Sequence, residues 1–217
     1  MTLSSSPRLL KGGLVLVDPA SGAVLRVVTL QYNPDSLSRT LQVQGAGDGG
    51  ERSEALRLKG PPVETIKLDA EIDATDQLED PDSHPDAVAV GLHPQLAALE
   101  ALVYPSAAAL TENDARASFG SIEIVPLETP LVLFVWSAQR VLPVRLTELS
   151  VVEEAFDATL NPIRAKVSIG MRVLSVDDLG FRHRGGSLFM AYLHAKEQLV
   201  AKAPTVGLSN LGLGGPP

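Results

Sequence analysis

From Ile163 to Val173 every odd-numbered residue is apolar: Ile163, Ala165, Val167, Ile169, Met171 and Val173. The residues between them are Arg164, Lys166, Ser168, Gly170 and Arg172. A period of two places one set on each face of a pleated strand, whereas a helix would scatter both sets around its circumference. This segment therefore folds as a long strand with one face on a core and the other elsewhere. It is preceded by an unbroken apolar run, Leu131 to Trp136, a polar break at Ser137-Ala138-Gln139, and a second alternating run from Arg140 to Val152. In that second run the apolar phase slips, from Val144 and Leu146 to Leu149 and Val151. A one-residue slip turns a core face outward, so the pattern predicts a β-bulge near Thr147-Glu148. The whole stretch reads as an antiparallel meander.

Upstream the same logic yields shorter units. Leu14 to Val17 and Ala23 to Gln31 flank the turn formers Asp18-Pro19-Ala20-Ser21-Gly22, which predicts a hairpin. Pro34 interrupts the ladder, and Ser38 to Gln44 is a half-buried strand. In Val63 to Thr75, Ile66, Leu68, Ala70, Ile72 and Ala74 share one face, with Lys67, Asp69, Glu71 and Asp73 on the other. Carboxylates at every second residue of a strand form a straight row, not a converging cage. Arg164, Lys166 and Arg172 are their natural counterparts across a strand pair or a subunit boundary. Leu92, Leu96, Leu99 and Leu102-Val103 recur at helical spacing behind Pro94, predicting a helix over Leu92–Val103. Ser106 to Ala117 is ambiguous between helix and loop, and Phe119 to Val125 reads as a strand. Ser187 is the expected cap of a second helix, Leu188 to Lys202, with Phe189, Tyr192, Leu193, Leu199 and Val200 on one face.

The connections carry the remaining candidates. Residues 45–62 are rich in glycine and charge without period, a loop tip that is either disordered or ordered by a neighbouring subunit. Residues 77–91 are acidic, contain two prolines and read as loop. In it Asp80, Asp82, His84 and Asp86 are the metal candidates, though the glycine and terminal glutamate of an EF-hand loop are missing. Phe156 and Leu160, in the link between the last two strands, are expected to pack on the sheet end or on a neighbour. Phe181 to Gly186 (FRHRGG) reads as a flexible basic link, the alternative being an anion grip.

Chemistry is hard to find. The chain has no cysteine, which removes disulfides, thiolate metal sites and cysteine nucleophiles. No nucleophile elbow, HExxH, phosphate loop or dinucleotide fingerprint occurs. His84, His93, His183 and His194 are scattered over loops and helices, His194 with Glu197 three residues on. The expectation is a non-enzyme with no catalytic, cofactor or metal residues and no cofactor. A net charge of −8 argues against nucleic acid as a partner. No apolar run approaches the roughly 20 residues that span a bilayer, and no secretory signal is visible. The expected partners therefore include no nucleic acid and no membrane, and the expected location is the cytoplasm.

Three motifs in order resemble one family: LQYNPDSLSRT (Leu30 to Thr40), ETIKLDAEIDATD (Glu64 to Asp76) and the run from Leu131 to Ser175. All three are similar to the tube-like domain of the baseplate adaptor of contractile injection systems, which are phage-tail-like particles. The resemblance covers roughly residues 10 to 180. It implies a mainly β fold, an antiparallel tail-tube-like β-barrel or sandwich with one or two flanking α-helices. The chain reads as one domain over residues 1–203, and residues 204–217, without period and broken throughout by Gly and Pro, as a tail that is disordered or pinned only by partners. The resemblance also implies a ring-forming hub adaptor or tube initiator, a homo-hexamer joining spike/hub protein to inner tube protein, with baseplate wedge or sheath as further neighbours. Assembly into the particle would take place in the cytoplasm. Longer relatives continue into a LysM module, and nothing after Ala203 has the pattern for one. The alternative function is a small-ligand or carbohydrate-binding β-barrel module, which the 4% aromatic content makes a poor stacking platform.

Overall fold

The computed structural model describes residues 10–45, 57–118, 129–205, 207–212 and 214. Seven strands form one antiparallel sheet: β1 (Gly13–Val17), β2 (Val24–Thr29), β3 (Leu37–Gln42), β4 (Val63–Asp73), β5 (Leu131–Ser137), β6 (Arg140–Phe156) and β7 (Pro162–Val173). Their order is β2-β1-β5-β6-β7-β4-β3. The mainly β, antiparallel expectation holds.

The longest strand explains the shape. β6 pairs with β5 through Val141 to Val144, and with β7 from Val144 onward to Phe156. It therefore belongs to two half-sheets, β2-β1-β5 on one side and β7-β4-β3 on the other. The register slips between Leu146 and Glu148, where the change of apolar phase predicts a bulge. A strand that passes from one half to the other through a bulge lets the halves curl over a shared core. That core takes Leu14, Val132, Phe134 and Leu142 from the first half and Ile66, Leu68, Ala165, Val167, Ile169 and Met171 from the second. The alternation of β7 and β4 is realised as expected, with the odd residues of β7 and Ile66, Leu68 and Ala70 of β4 buried or partly buried on the core face.

The sheet does not close by strand pairing among the described residues. Instead the Gln31 side chain stands in for a ladder rung. Its Nε2 donates to the Asp73 carbonyl (2.7 Å) and its Oε1 accepts from the Asp73 N–H (2.9 Å). Gln31 follows β2 and Asp73 ends β4, so these bonds tie the two halves together. Asn33 acts similarly, accepting from the Gly12 N–H (2.9 Å) and donating to the Leu10 carbonyl (2.7 Å) where Pro34 ends the ladder.

Helices seal the core. In α3 (His93–Glu100) Leu96 and Leu99 point into the core, as does the N-cap residue Leu92, matching the predicted helix less its last turn. The acidic stretch 77–91, expected to be loop, contains the last two residues of α1 (Thr75–Leu78) and all of α2 (Pro85–Val90). Its prolines do not prevent this, because Pro81 lies in the turn between the two helices and Pro85 occupies the first helical turn, where no intrahelical N–H is needed. Gly91 then ends α2 with φ of +55°, and a Cβ there would lie 2.5 Å from the Pro162 carbonyl oxygen. The ambiguous stretch after Ser106 is helical, α4 (Ala107–Ser118), with Ser106 Oγ accepting from the Ala109 N–H at 3.1 Å. Phe119 to Val125, read as a strand, lies outside the described residues, as do residues 46–56 of the glycine-rich loop. The two sides of that loop meet at a single bridge, Gly45 to Leu58.

At the C-terminal end α5 (Val176–Leu179) opens with a capping box between Ser175 and Asp178. α6 (Arg184–Val200) begins four residues before the predicted Leu188, with His183 as its cap in place of Ser187. The FRHRGG segment is accordingly no flexible link. His183 Nδ1 accepts from the Gly185 N–H at 3.0 Å, and Gly185 and Gly186 are buried. A Cβ on Gly186 would collide with the Gly180 carbonyl oxygen, so this start of the helix needs glycine. Phe189 and Tyr192 are buried, whereas Leu199 and Val200 are exposed, so the apolar stripe overruns the surface it covers. Within the tail the described residues form one 3-10 turn, Leu208–Leu211.

Candidate assembly interface

The charged face is built from cross-strand pairs. β4 and β7 place Asp73 opposite Arg164, Glu71 opposite Lys166 and Asp69 opposite Ser168. Arg164 Nε reaches Asp73 Oδ2 at 2.8 Å, and Ser168 Oγ donates to Asp69 Oδ1 at 2.5 Å. Lys166 turns instead to Glu154 of β6 (2.9 Å), and Arg172 to Asp178 (2.6 Å). The expected charge matching thus spans three strands, and one arginine serves α5. The hydroxyl and N–H of Thr75, followed by Arg164, hold the Asp73 carboxyl below its usual range, while Asp73 and Glu154 raise Arg164 and Lys166 respectively. Exposed pairs of this kind contribute about 0–1 kcal/mol each, so they fix register more than they stabilise.

A second charged cluster is not obvious from the alternating pattern. Glu64 is in phase with Ile66 and Leu68, on the core face, and its side chain is buried. It meets Arg39 of β3 at 2.6 Å and Lys196 of α6 at 3.5 Å. Arg39 also donates to the Tyr192 hydroxyl (3.1 Å), and the Lys196 ammonium sits 4.2 Å from the Tyr192 ring centre. These groups clasp α6 to the β3–β4 edge. The sequence signal was a carboxylate occupying a core phase.

The histidines do not converge. His84 caps α2 by position without a side-chain bond, His93 begins α3, His183 caps α6, and His194 pairs with Glu197 at 3.1 Å. Among the described residues no three His, Asp or Glu side chains gather to hold a metal ion, so Asp80, Asp82, His84 and Asp86 remain a dispersed acidic surface. Trp136 stacks inward on Phe134, ring centres 5.9 Å apart, and covers Gly12, which removes it as an exposed stacking platform. No helix among the described residues is long and apolar enough to cross a membrane.

What the molecule does expose is apolar edge. β2 pairs only with β1 among the described residues, and its Val24, Leu25 and Val27 are 61%, 54% and 56% exposed. At the other end of the sheet, β3 and the residue following it leave Leu41 and Val43 exposed. The β6–β7 hairpin tip is a third such place. Phe156 and Leu160 do not pack on the sheet end, being 50% and 77% exposed. The tip is nevertheless rigidly specified. The Asp157 carboxylate accepts from the N–H and hydroxyl of Thr159 (2.7 and 2.8 Å) and from the N–H and side-chain amide of Asn161 (both 2.8 Å). The Asn161 bonds foremost, then those from Thr159, bring the Asp157 carboxyl down to about 2. Ala155 and Leu160 on either side hold positive φ, +52° and +67°. Strain of this kind persists only where surrounding bonds over-determine it.

A shallow recess of about 380 Å³ lies at the β1–β2 turn, lined by Pro19, Ala20, Leu25, Pro130 and His183. Asp18 is also on its wall, its carboxylate engaged by the Ser21 N–H (2.6 Å) and hydroxyl (2.7 Å), which together keep it below the usual carboxylate range.

No family model and no curated protein matches this chain. Among solved structures it is similar to a chain from the tail of an empty gene transfer agent particle, computed with helical refinement and C6 symmetry. Identity is 11%, coverage 75% of this chain and 90% of that one, and the TM-score 0.29. A chain from the virion of a native gene transfer agent particle is similar at 9% identity, with the same coverage and a TM-score of 0.26. At that identity and superposition the likeness decides nothing about role, and an assignment has to rest on the chain's own residues.

Proposed function

We propose that this chain is a structural building block of a phage-tail-like contractile injection system. In this reading it forms a ring, as hub adaptor or tube initiator, between the spike/hub and the inner tube. The resemblance of Leu30–Thr40, Glu64–Asp76 and Leu131–Ser175 to the adaptor's tube-like domain points to this family. The observation that carries the reading is β2, an edge strand apolar on both faces with Val24, Leu25 and Val27 open to solvent.

A lone edge strand of that composition is an association site, because its free backbone groups and side chains both gain from a second chain. Burying the exposed remainder of each side chain adds about 1 kcal/mol. Completion by an identical copy is a heterologous contact, which closes into a ring when the rotation per copy divides a full turn. Among the described residues the histidines do not converge, and Trp136 stacks inward on Phe134.

The test is sedimentation velocity with negative-stain imaging of the purified chain up to millimolar concentration. Rings, or association through the edges, are expected. A monodisperse monomer throughout would overturn the reading.

A further inference from the structure

We propose that the β6–β7 hairpin tip of one copy inserts Phe156 and Leu160 into the recess beside the β1–β2 turn of the next copy. The inference rests on the ring-building reading above and names the contact that reading leaves open.

The tip has the properties of a preformed anchor. Its apolar side chains stand in solvent, yet its backbone is fixed by the bonds to Asp157 and by the Asn161 side-chain amide donating to the Ala89 carbonyl of α2 (3.3 Å). Leu92 N–H donates to the Pro162 carbonyl at 2.9 Å, which secures the other side. An anchor held in its bound shape loses little conformational freedom on docking. The positive φ of Ala155 and Leu160 is held by these bonds within the chain, so the exposed side chains keep one presentation.

The recess has the matching properties. Its wall is mostly Pro19, Ala20, Leu25 and Pro130, apolar and short, and its volume of about 380 Å³ admits a branched or aromatic side chain. Of its polar side chains, His183 Nδ1 accepts from the Gly185 N–H and the Asp18 carboxylate from Ser21, leaving Thr129 beside them. That leaves little to orient a small polar ligand. Leu25 belongs both to the recess and to the exposed β2 edge, so the two surfaces are continuous.

Charge selects a second copy as occupant. Around the tip Arg164 is paired with Asp73 and Lys166 with Glu154, which leaves the exposed Glu153 together with Asp157 as its uncompensated charges. Around the recess stand the exposed Arg182 and Arg184, flanking His183, with Asp18 the opposing charge. Arg184 lies against Gly22 and helps hold Asp18 ionised, leaving the rim basic on balance. Tip and recess cannot meet within one molecule, because β7 runs from Pro162 at the tip to Val173, beside Val144 and Val132 near the recess. That is about 36 Å of strand at roughly 3.3 Å per residue. The contact is therefore head-to-tail between copies.

The absence of cysteine makes the test clean. Copies carrying Leu160→Cys are mixed with copies carrying Leu25→Cys under a mild oxidant, and sedimentation of the same samples reports assembly. A mixed disulfide dimer as the dominant covalent product is expected. Samples that sediment as oligomers but give no mixed dimer, or chiefly Leu160→Cys homodimers, overturn this contact and leave ring building intact. A chain that remains monomeric at every concentration overturns the ring reading and the contact with it. Oligomers that disperse only on addition of a small sugar or anion would assign the recess to a ligand and overturn the contact likewise.

Discussion

β7 and β2 are both antiparallel strands with many apolar residues, and they meet opposite fates. β7 has β6 on one side and β4 on the other, its apolar residues sealed in the core and its polar residues matched across the sheet. β2 has β1 alone among the described residues, and most of its side chains are exposed on both faces. The difference is already present in the pattern of residues. β7 alternates, so burying one face satisfies it. VLRVVT does not alternate, so no single sheet position can bury its apolar side chains. One region is finished within the chain, and the other is left open at the edge of the sheet.

The contrast can be broken from its strongest side first. Phe134→Ala removes a fully buried ring from the shared core and is expected to cost about 4 kcal/mol in chemical denaturation. Arg39→Ala strands the buried Glu64 carboxylate beside Lys196 alone and is expected to cost about 3 kcal/mol, with weakened protection of α6 in hydrogen exchange. Leu25→Asp with Val27→Lys should leave monomer stability within about 0.5 kcal/mol, since these side chains are exposed, while abolishing association by sedimentation. The smallest effect is at the tip. Asp157 titrates in the folded chain at about 2, below the ordinary carboxylate value of 3.8. Its contribution is therefore full above the ordinary value and disappears as pH falls through about 2. The amide shifts of Thr159 and Asn161 should follow that titration in NMR, and a midpoint near 4 would contradict the tip geometry.

Much of the sheet was legible because alternation is a direct imprint of one-sided burial. The bulge at Leu146–Glu148 could be read from a change of phase, and the Asp73–Arg164 pair from opposed charge rows. The helices in residues 75–90 were not, because two prolines and clustered carboxylates mimic loop, whereas Pro81 falls in the turn between the two helices and Pro85 in the first turn of α2, where helix tolerates it. The early start of α6 was hidden for a related reason: Gly185 and Gly186 read as a break, whereas they permit close packing on Gly180. Phe156 and Leu160 were recognisable as more than solvent loop, but which surface they serve depends on the turn that Asp157 builds. The recess had no linear signature at all, since Pro19, Leu25, Pro130 and His183 come together only through the fold.

Hydrogen exchange at β2 tests the central claim most directly. The β2 amides that point away from β1 should exchange quickly in dilute monomer and become protected to the level of β7 once the chain assembles. Equal, fast exchange of β2 in both states would show that this edge is never completed, and would contradict the account.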